Sequence, residues 1–173
     1  MVTTIDFAHL SLQDALDLAI LVEDEAQERY LEFVDQMEKQ HTPEPARFIA
    51  TMARNEQRHG DELRWRRRAL FGDRPPRVTR SQLWDVEAPD YDQTRAFMPV
   101  RRAMEVALAS ETKAHAFFVS ALPHVADAEV RALFEELRDE ELLHQSLVRE
   151  FLDALPPEAP TDPDGYEDPP VAQ

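Results

Sequence analysis

The chain has 173 residues, a formal net charge of −16 and no cysteine. That length fits one domain with a sizeable core. The missing thiols exclude disulfides, iron–sulfur clusters and thiolate-bound iron, and the negative charge argues against nucleic acid or an anionic membrane as the main partner.

A hydrophobic content of 43% with only three glycines favours a helical globule, since glycine is costly inside helices and helix-poor folds use it freely in turns. In chain order, Ser11-Leu12-Gln13-Asp14 reads as an acidic variant of a capping box that starts a first helix running to about Gln40. Thr42-Pro43 restarts the chain as a second helix, which ends near Phe71-Gly72 because glycine is the common helix stop. Residues 73 to about 97 hold Pro75, Pro76 and Pro89 with little periodicity, so they read as a crossover connection with a short turn around Leu83-Trp84. Pro99 fits the first turn of a third helix reaching Leu122. Pro123 to Ala126 then turns the chain, and Asp127 caps a fourth helix to about Leu155. The expected fold is all-α: two helical hairpins joined by one long crossover, over residues 1–155. The last segment, Pro156 to Gln173, has six prolines, five acids and no basic residue, and is expected to be a disordered tail because it cannot build a packed core. No leader pattern precedes the first helix, and the apolar run Ala15 to Val22 is broken by Asp17 and too short to span a bilayer. A cytoplasmic location is the expectation.

Two Glu-x-x-His pairs recur, Glu56-Gln57-Arg58-His59 and Glu141-Leu142-Leu143-His144, and a lone glutamate lies upstream of each, Glu23 and Glu111. Residues i and i+3 share a helix face, so each pair can aim a carboxylate and an imidazole at one region of a bundle interior. One Glu from each of two helices and Glu-x-x-His from each of the other two is the arrangement that binds two metal ions in carboxylate bundles. Glu56 to Glu141 and His59 to His144 are both 85 residues apart and Glu23 to Glu111 is 88, which indicates a duplicated hairpin with a small length change. A third match, Glu38-Lys39-Gln40-His41, sits at a polar helix end before Thr42-Pro43 and has no counterpart in the second half. The other two interrupt apolar stripes: Ile49, Met52, Glu56, His59, Leu63, and Phe134, Leu137, Glu141, His144, Val148. Glu23 likewise breaks Leu16, Ile20, Tyr30, Val34, Met37, and Glu111 breaks Val100, Met104, Ala107, Phe118, Leu122. Four carboxylates on buried faces need compensating positive charge, and two divalent metals supply it. Nitrogen and oxygen donors suit iron or manganese.

With Glu23-x-x-Ala26-x-x-x-Tyr30, Glu56-x-x-His59, Glu111-x-x-Ala114 and Glu141-x-x-His144 in that order, the chain resembles the ferritin-like superfamily and, within it, the rubrerythrin-type di-iron proteins, over roughly residues 10 to 155. The resemblance implies a ferritin-like four-helix bundle holding two iron ions, with manganese possible. It implies that Glu56 and Glu141 bridge the metals, that Glu23 and Glu111 are terminal ligands, and that His59 and His144 each bind one ion. Tyr30 corresponds to the family tyrosine that hydrogen-bonds a ligand carboxylate. The implied chemistry is reaction of the reduced centre with hydrogen peroxide or dioxygen, as a peroxidase or a ferroxidase acting on ferrous ions in oxidative stress or iron handling. Repeated turnover needs an external electron donor, and the resemblance implies a homodimer. This sequence departs from the family at Ala114, where a further carboxylate is common, and at Phe118, often a tyrosine. It contains no rubredoxin segment. Other readings of the same ligand order are an iron-binding or storage component, a helical interaction module with a structural metal site, and a quinone-ring hydroxylase. The last needs a membrane-facing apolar surface that the net charge disfavours.

Weaker signals complete the reading. His115, one turn past Glu111, is either a hydrogen-bonded core histidine or a proton donor beside the metals or an alternative ligand to them. The arginines at 64, 66, 67, 68, 74, 77 and 80 read as a solvated or subunit-contact face, with docking of the acidic tail or of an acidic redox protein as the alternative; the first four complement the negative end of the second helix. Gly60, directly after a ligand-type histidine, costs about 1 kcal/mol relative to alanine and points to close packing or small-molecule access. Trp65 and Trp84 read as packing or interface residues.

Overall fold

A computed structural model describes residues 5–39, 43–80 and 99–156. Its main elements are α1 (Leu12–Lys39), α2 (Pro43–Phe71), α3 (Val100–Ala121), a 3-10 turn (Leu122–His124) and α4 (Ala128–Ala154). Among the described residues there is no strand, and the fold is an all-α, ferritin-like four-helix bundle. No helix among the described residues is long and apolar enough to cross a membrane.

The boundaries follow local chemistry. Ser11 Oγ accepts the Asp14 amide at 3.2 Å and donates to the Asp14 carboxylate at 2.6 Å, closing the acidic capping box. The Asp127 carboxylate accepts the amides of Glu129 and Val130 at 2.8 and 3.0 Å. Gly72 takes the left-handed φ of 64° that ends α2, and its N–H returns to the Arg68 carbonyl at 2.9 Å. Pro99 lies one residue ahead of α3 rather than within its first turn, because its ψ of 147° is extended.

Helix directions can be read from cross-links. Asp17 meets Arg67 and Asp24 meets Arg64, so α1 and α2 are antiparallel. Arg101 reaches the Leu155 carbonyl and Arg131 the Leu122 carbonyl, so α3 and α4 are antiparallel. Arg66 to Glu136 and His59 to Glu140 make α2 antiparallel to α4 as well. It follows that α2 and α3 run parallel, so the end of α2 and the start of α3 lie at opposite ends of the bundle, about 43 Å apart for a helix of 29 residues at about 1.5 Å per residue. The described start of this connection lies against α1, with Gln13 Nε2 donating to the Pro75 carbonyl at 3.2 Å and Arg77 pairing with Asp14 at 2.8 Å. The expected turn at Leu83-Trp84, the tail from Pro157 and His41 of the discounted third match lie outside the described residues.

The core falls into two apolar clusters at opposite ends of the bundle. One gathers Leu16, Leu18, Val22, Leu63, Phe118, Phe134 and Leu137 among others. The second is built from Tyr30, Phe33, Met37, Ile49, Met52, Met104 and Val148. Every helix passes from one cluster to the other, and its polar site residues fall at the crossing.

Two expectations change. On α1 the buried face carries Ala19, Val22, Ala26 and Phe33, while Ile20 and Val34 are only partly buried. This helix faces more than one neighbour, so its buried arc is wider than a single stripe. The arginine-rich stretch is not one solvated face. Arg67 is buried, binds the buried Asp17 at 2.8 Å and donates to the Gly72 and Arg74 carbonyls at 3.0 and 2.6 Å. Arg64 pairs with Asp24, Arg66 with Glu136, and Arg80 with Glu28. The stretch ties α2 and the start of the crossover to α1 and α4.

Candidate metal centre

Glu23 of α1, Glu56 and His59 of α2, Glu111 of α3, and Glu141 and His144 of α4 are all buried between the two apolar clusters. α2 and α4 each contribute a pair through i, i+3 spacing and α1 and α3 one glutamate each, and rigid helices rather than loops hold all six. Glu56 lies near both imidazoles: its Oε1 is 3.3 Å from His144 Nδ1 and its Oε2 is 3.9 Å from His59 Nδ1. His144 Nδ1 is also 3.2 Å from Glu111 Oε2. His59 Nδ1 lies 3.8 Å from Glu23 Oε2. The two rings stack with centroids 5.3 Å apart and planes 6° from parallel. Both histidines therefore turn Nδ1 toward the carboxylates.

Possible ligand atoms converge in three groups within 4.8 Å: Glu56, His59 and His144; Glu111, Glu141 and His144; and Glu23, His59 and Glu140. Buried atoms Glu23 Oε2, Glu111 Oε1 and His59 Nδ1 have no hydrogen-bond partner among the described residues. Unsatisfied polar atoms this deep are costly, and a cation among them would satisfy oxygens and nitrogens together. The residues present therefore fit a metal pair.

Electrostatics agree. Burial pushes the Glu23 carboxyl up to about 7, although a hydrogen bond with Glu56 and the charge of His144 pull the other way. Burial brings His59 down to about 4, helped by the charges of His144 and Arg58. At His144 burial also acts downward, but the hydrogen bond and charge of Glu111, with Glu23 and Glu140, carry the net shift upward. The two histidines differ for a geometric reason. The Glu111 carboxylate at 3.2 Å compensates burial at His144, whereas the carboxylates at 3.8 and 3.9 Å from His59 are beyond hydrogen-bond reach. Without a cation, burial favours the protonated form of Glu23.

The sequence matches the Rubrerythrin family over residues 14–152. The chain belongs to the rubrerythrin family. The crystal structure of an uncharacterised conserved protein from Magnetospirillum magnetotacticum MS-1 is similar at 27% identity and a TM-score of 0.72, covering 86% of this chain and 98% of that one. No curated protein matches the chain.

Within this rubrerythrin-family bundle the remaining expected residues stand further out. Tyr30 is buried, and its hydroxyl has no hydrogen-bond partner among the described residues. His115 is partly exposed and belongs to none of the three ligand groups. Ala114 is fully buried beside Glu111. The packing of α1 on α2 does not require glycine at position 60: a Cβ there would meet Glu23 Cβ at an ordinary 3.6 Å and the end of the Arg64 side chain, Nη1, at 3.0 Å. Trp65 is 75% exposed, and Trp84 lies outside the described residues.

Several neighbours were not anticipated. Glu140 burial raises its carboxyl, with the charge of Glu136 adding to the effect, and its Oε2 is 3.9 Å from His59 Nδ1. Gln145 is buried and donates to the Glu111 carbonyl at 3.3 Å. Arg58 Nη2 lies 3.2 Å from His59 Nε2. A groove of about 700 Å³ between α2 and α4, lined by Arg54, Arg58, His59, Trp65, Glu136 and Glu140 among others, opens the His59 side to solvent. The doubled acid Glu140-Glu141 was the signal in the sequence, but adjacent helical positions point about 100° apart, which places only one of them on an ideal face.

Proposed function

We propose that Glu23, Glu56, His59, Glu111, Glu141 and His144 hold two iron ions, with manganese as the other metal suited to these donors, and that the reduced centre reacts with hydrogen peroxide or dioxygen. The observation that supports this most is the buried layer of four carboxylates around two inward-facing Nδ1 atoms, with orphaned oxygens that a cation satisfies. When bound, a pair of iron ions would supply two one-electron oxidations, matching the two electrons that hydrogen peroxide takes up in becoming water.

The protein's own part is geometry and electrostatics. Glu56, near both imidazoles, would be shared between the two ions together with Glu141, and Glu23 and Glu111 would each hold one. Four carboxylates against two neutral imidazoles hold a net negative charge that favours cations and offsets their rising charge on oxidation. The apolar clusters on either side keep bulk water away. Tyr30, whose buried hydroxyl has no partner among the described residues, is proposed as a hydrogen-bond donor to a ligand carboxylate, and His115 is the weaker candidate for proton supply. With no cysteine in the chain, electrons come from an external donor. A homodimer in the cytoplasm is the proposed setting; exposed Trp65, Leu142 and Leu143 offer apolar contact surface.

Metal analysis of protein purified without added metal, followed by anaerobic stopped-flow oxidation of the reduced form, tests the reading. About two iron ions per chain and fast oxidation by peroxide support a peroxidase. Faster reaction with dioxygen and repeated uptake of ferrous ions support a ferroxidase. Inertness toward both oxidants removes the redox reading and leaves a structural or storage site.

A further inference from the structure

The six expected ligands are nearly symmetric in sequence, yet their surroundings are not. Glu111, Glu141 and His144 are enclosed, with side chains of Glu111 and His144 no more than 3% exposed. On the opposite side His59 and Glu140 form part of the wall of the groove between α2 and α4. The Glu140 side chain is 33% exposed, so it reaches from solvent to a point 3.9 Å from His59 Nδ1. Its carboxylate, Glu23 and His59 bring ligand atoms within 4.8 Å of one another.

We propose that Glu140 is a seventh ligand carboxylate, binding the ion nearer the groove together with Glu23 and His59 and receiving that ion from solvent. The inference rests on the two-ion reading above. Its support is the pair of atoms facing Glu140: Glu23 Oε2 and His59 Nδ1 lie on side chains that are 4% and 9% exposed, and neither atom has a hydrogen-bond partner among the described residues. A divalent ion is the occupant whose chemistry fits two carboxylates and an imidazole nitrogen at this separation. A proton would satisfy only one of the atoms. The basic side chains on the groove do not take this place. Arg66 is engaged with Glu136, and Arg58 addresses the outer Nε2 of His59 rather than Nδ1. The consequence is a lopsided centre: one ion held by His59 and four carboxylates, counting the two shared ones, and open to exchange, the other enclosed with three.

The test is an anaerobic cobalt(II) titration of the metal-free full chain, read by visible absorption and equilibrium dialysis, on the wild type, Glu140→Gln and Glu136→Gln. Glu140→Gln keeps shape and removes charge, and it should weaken one of the two sites at least tenfold while leaving the other unchanged. Glu136→Gln, on the same groove, touches Glu140 only through its charge and should change neither affinity by as much as tenfold. Anomalous scattering from wild-type crystals with cobalt should place a Glu140 oxygen within about 2.2 Å of one ion. Two wild-type affinities in Glu140→Gln, or an ion with Glu140 turned away, overturns the proposal while leaving the two-ion site standing. A wild type that takes up no cobalt overturns both.

Discussion

At the scale of single residues the site is governed by the competition between protons and cations for the same lone pairs. Glu23, raised to about 7 by burial, holds a proton below that pH, and an incoming ion must displace it. His144, raised by Glu111, acts in the same direction. His59, lowered to about 4, is already neutral above pH 5 and offers no such competition. Affinity for divalent ions should therefore rise with pH through about 7. Below it, affinity should fall by about tenfold per pH unit for each proton displaced. Cobalt or manganese titrations at pH 6, 7 and 8 check this; an affinity independent of pH would contradict the protonated Glu23. Truncating Glu56 to alanine should lower occupancy of both positions, since its two oxygens face different imidazoles. Two ions per chain and unchanged redox behaviour after Glu56→Ala together with Glu141→Ala would remove these residues from the ligand set.

The helices and their connections are held by more than apolar packing. Arg67 of α2 neutralises Asp17 of α1 and also clamps the carbonyls of Gly72 and Arg74, where the chain leaves the helix. Replacing Arg67 with alanine strands a buried carboxylate, for which the cost is about 3–5 kcal/mol. Chemical denaturation should register that loss, and a change below about 1 kcal/mol would mean that water solvates Asp17. Gly60 gives the opposite expectation. An added Cβ meets Glu23 Cβ at ordinary contact distance and presses only on the flexible end of Arg64. Gly60→Ala should thus recover much of the helix-propensity difference and stabilise the metal-free protein by about 0.5–1 kcal/mol. Thermal unfolding showing destabilisation would place the Arg64 guanidinium under tighter constraint than its side chain suggests.

Across the whole molecule, a polar layer divides two apolar clusters, and ion binding in that layer couples to the stability of both. A protein that binds ions only when folded gains stability by mass action, so loading should raise the unfolding temperature and chelation should lower it. The acidic, proline-rich residues 157–173 have no composition for core building. We expect their deletion to leave helical content and ion uptake unchanged. Loss of either on deletion, followed by circular dichroism and metal analysis, would show that the segment docks on the bundle.

Much of this was legible in the residues because its causes are local. Ser11, Asp127 and Gly72 act within one turn of their own helices, so three boundaries could be placed from chemistry alone. The six clustered carboxylates and imidazoles were visible because i, i+3 spacing on a helix holds whatever the neighbours do, and duplication repeats the signal. The end of α2 and the late start of α3 followed from prolines where periodicity stops. What remained depended on how far each helix is rotated and shifted against the next. That rotation decides that Ala19 and Val22 rather than Ile20 line the interior of α1, and that Arg67 alone among the clustered arginines is buried against Asp17. It also carries Glu140, about 100° around α4 from Glu141, to the rim of His59. Sequence by itself determined the bundle and the set of candidate ligands; only tertiary packing decided which side of the centre opens to solvent, because that is a property of two helix faces meeting and is written in neither one.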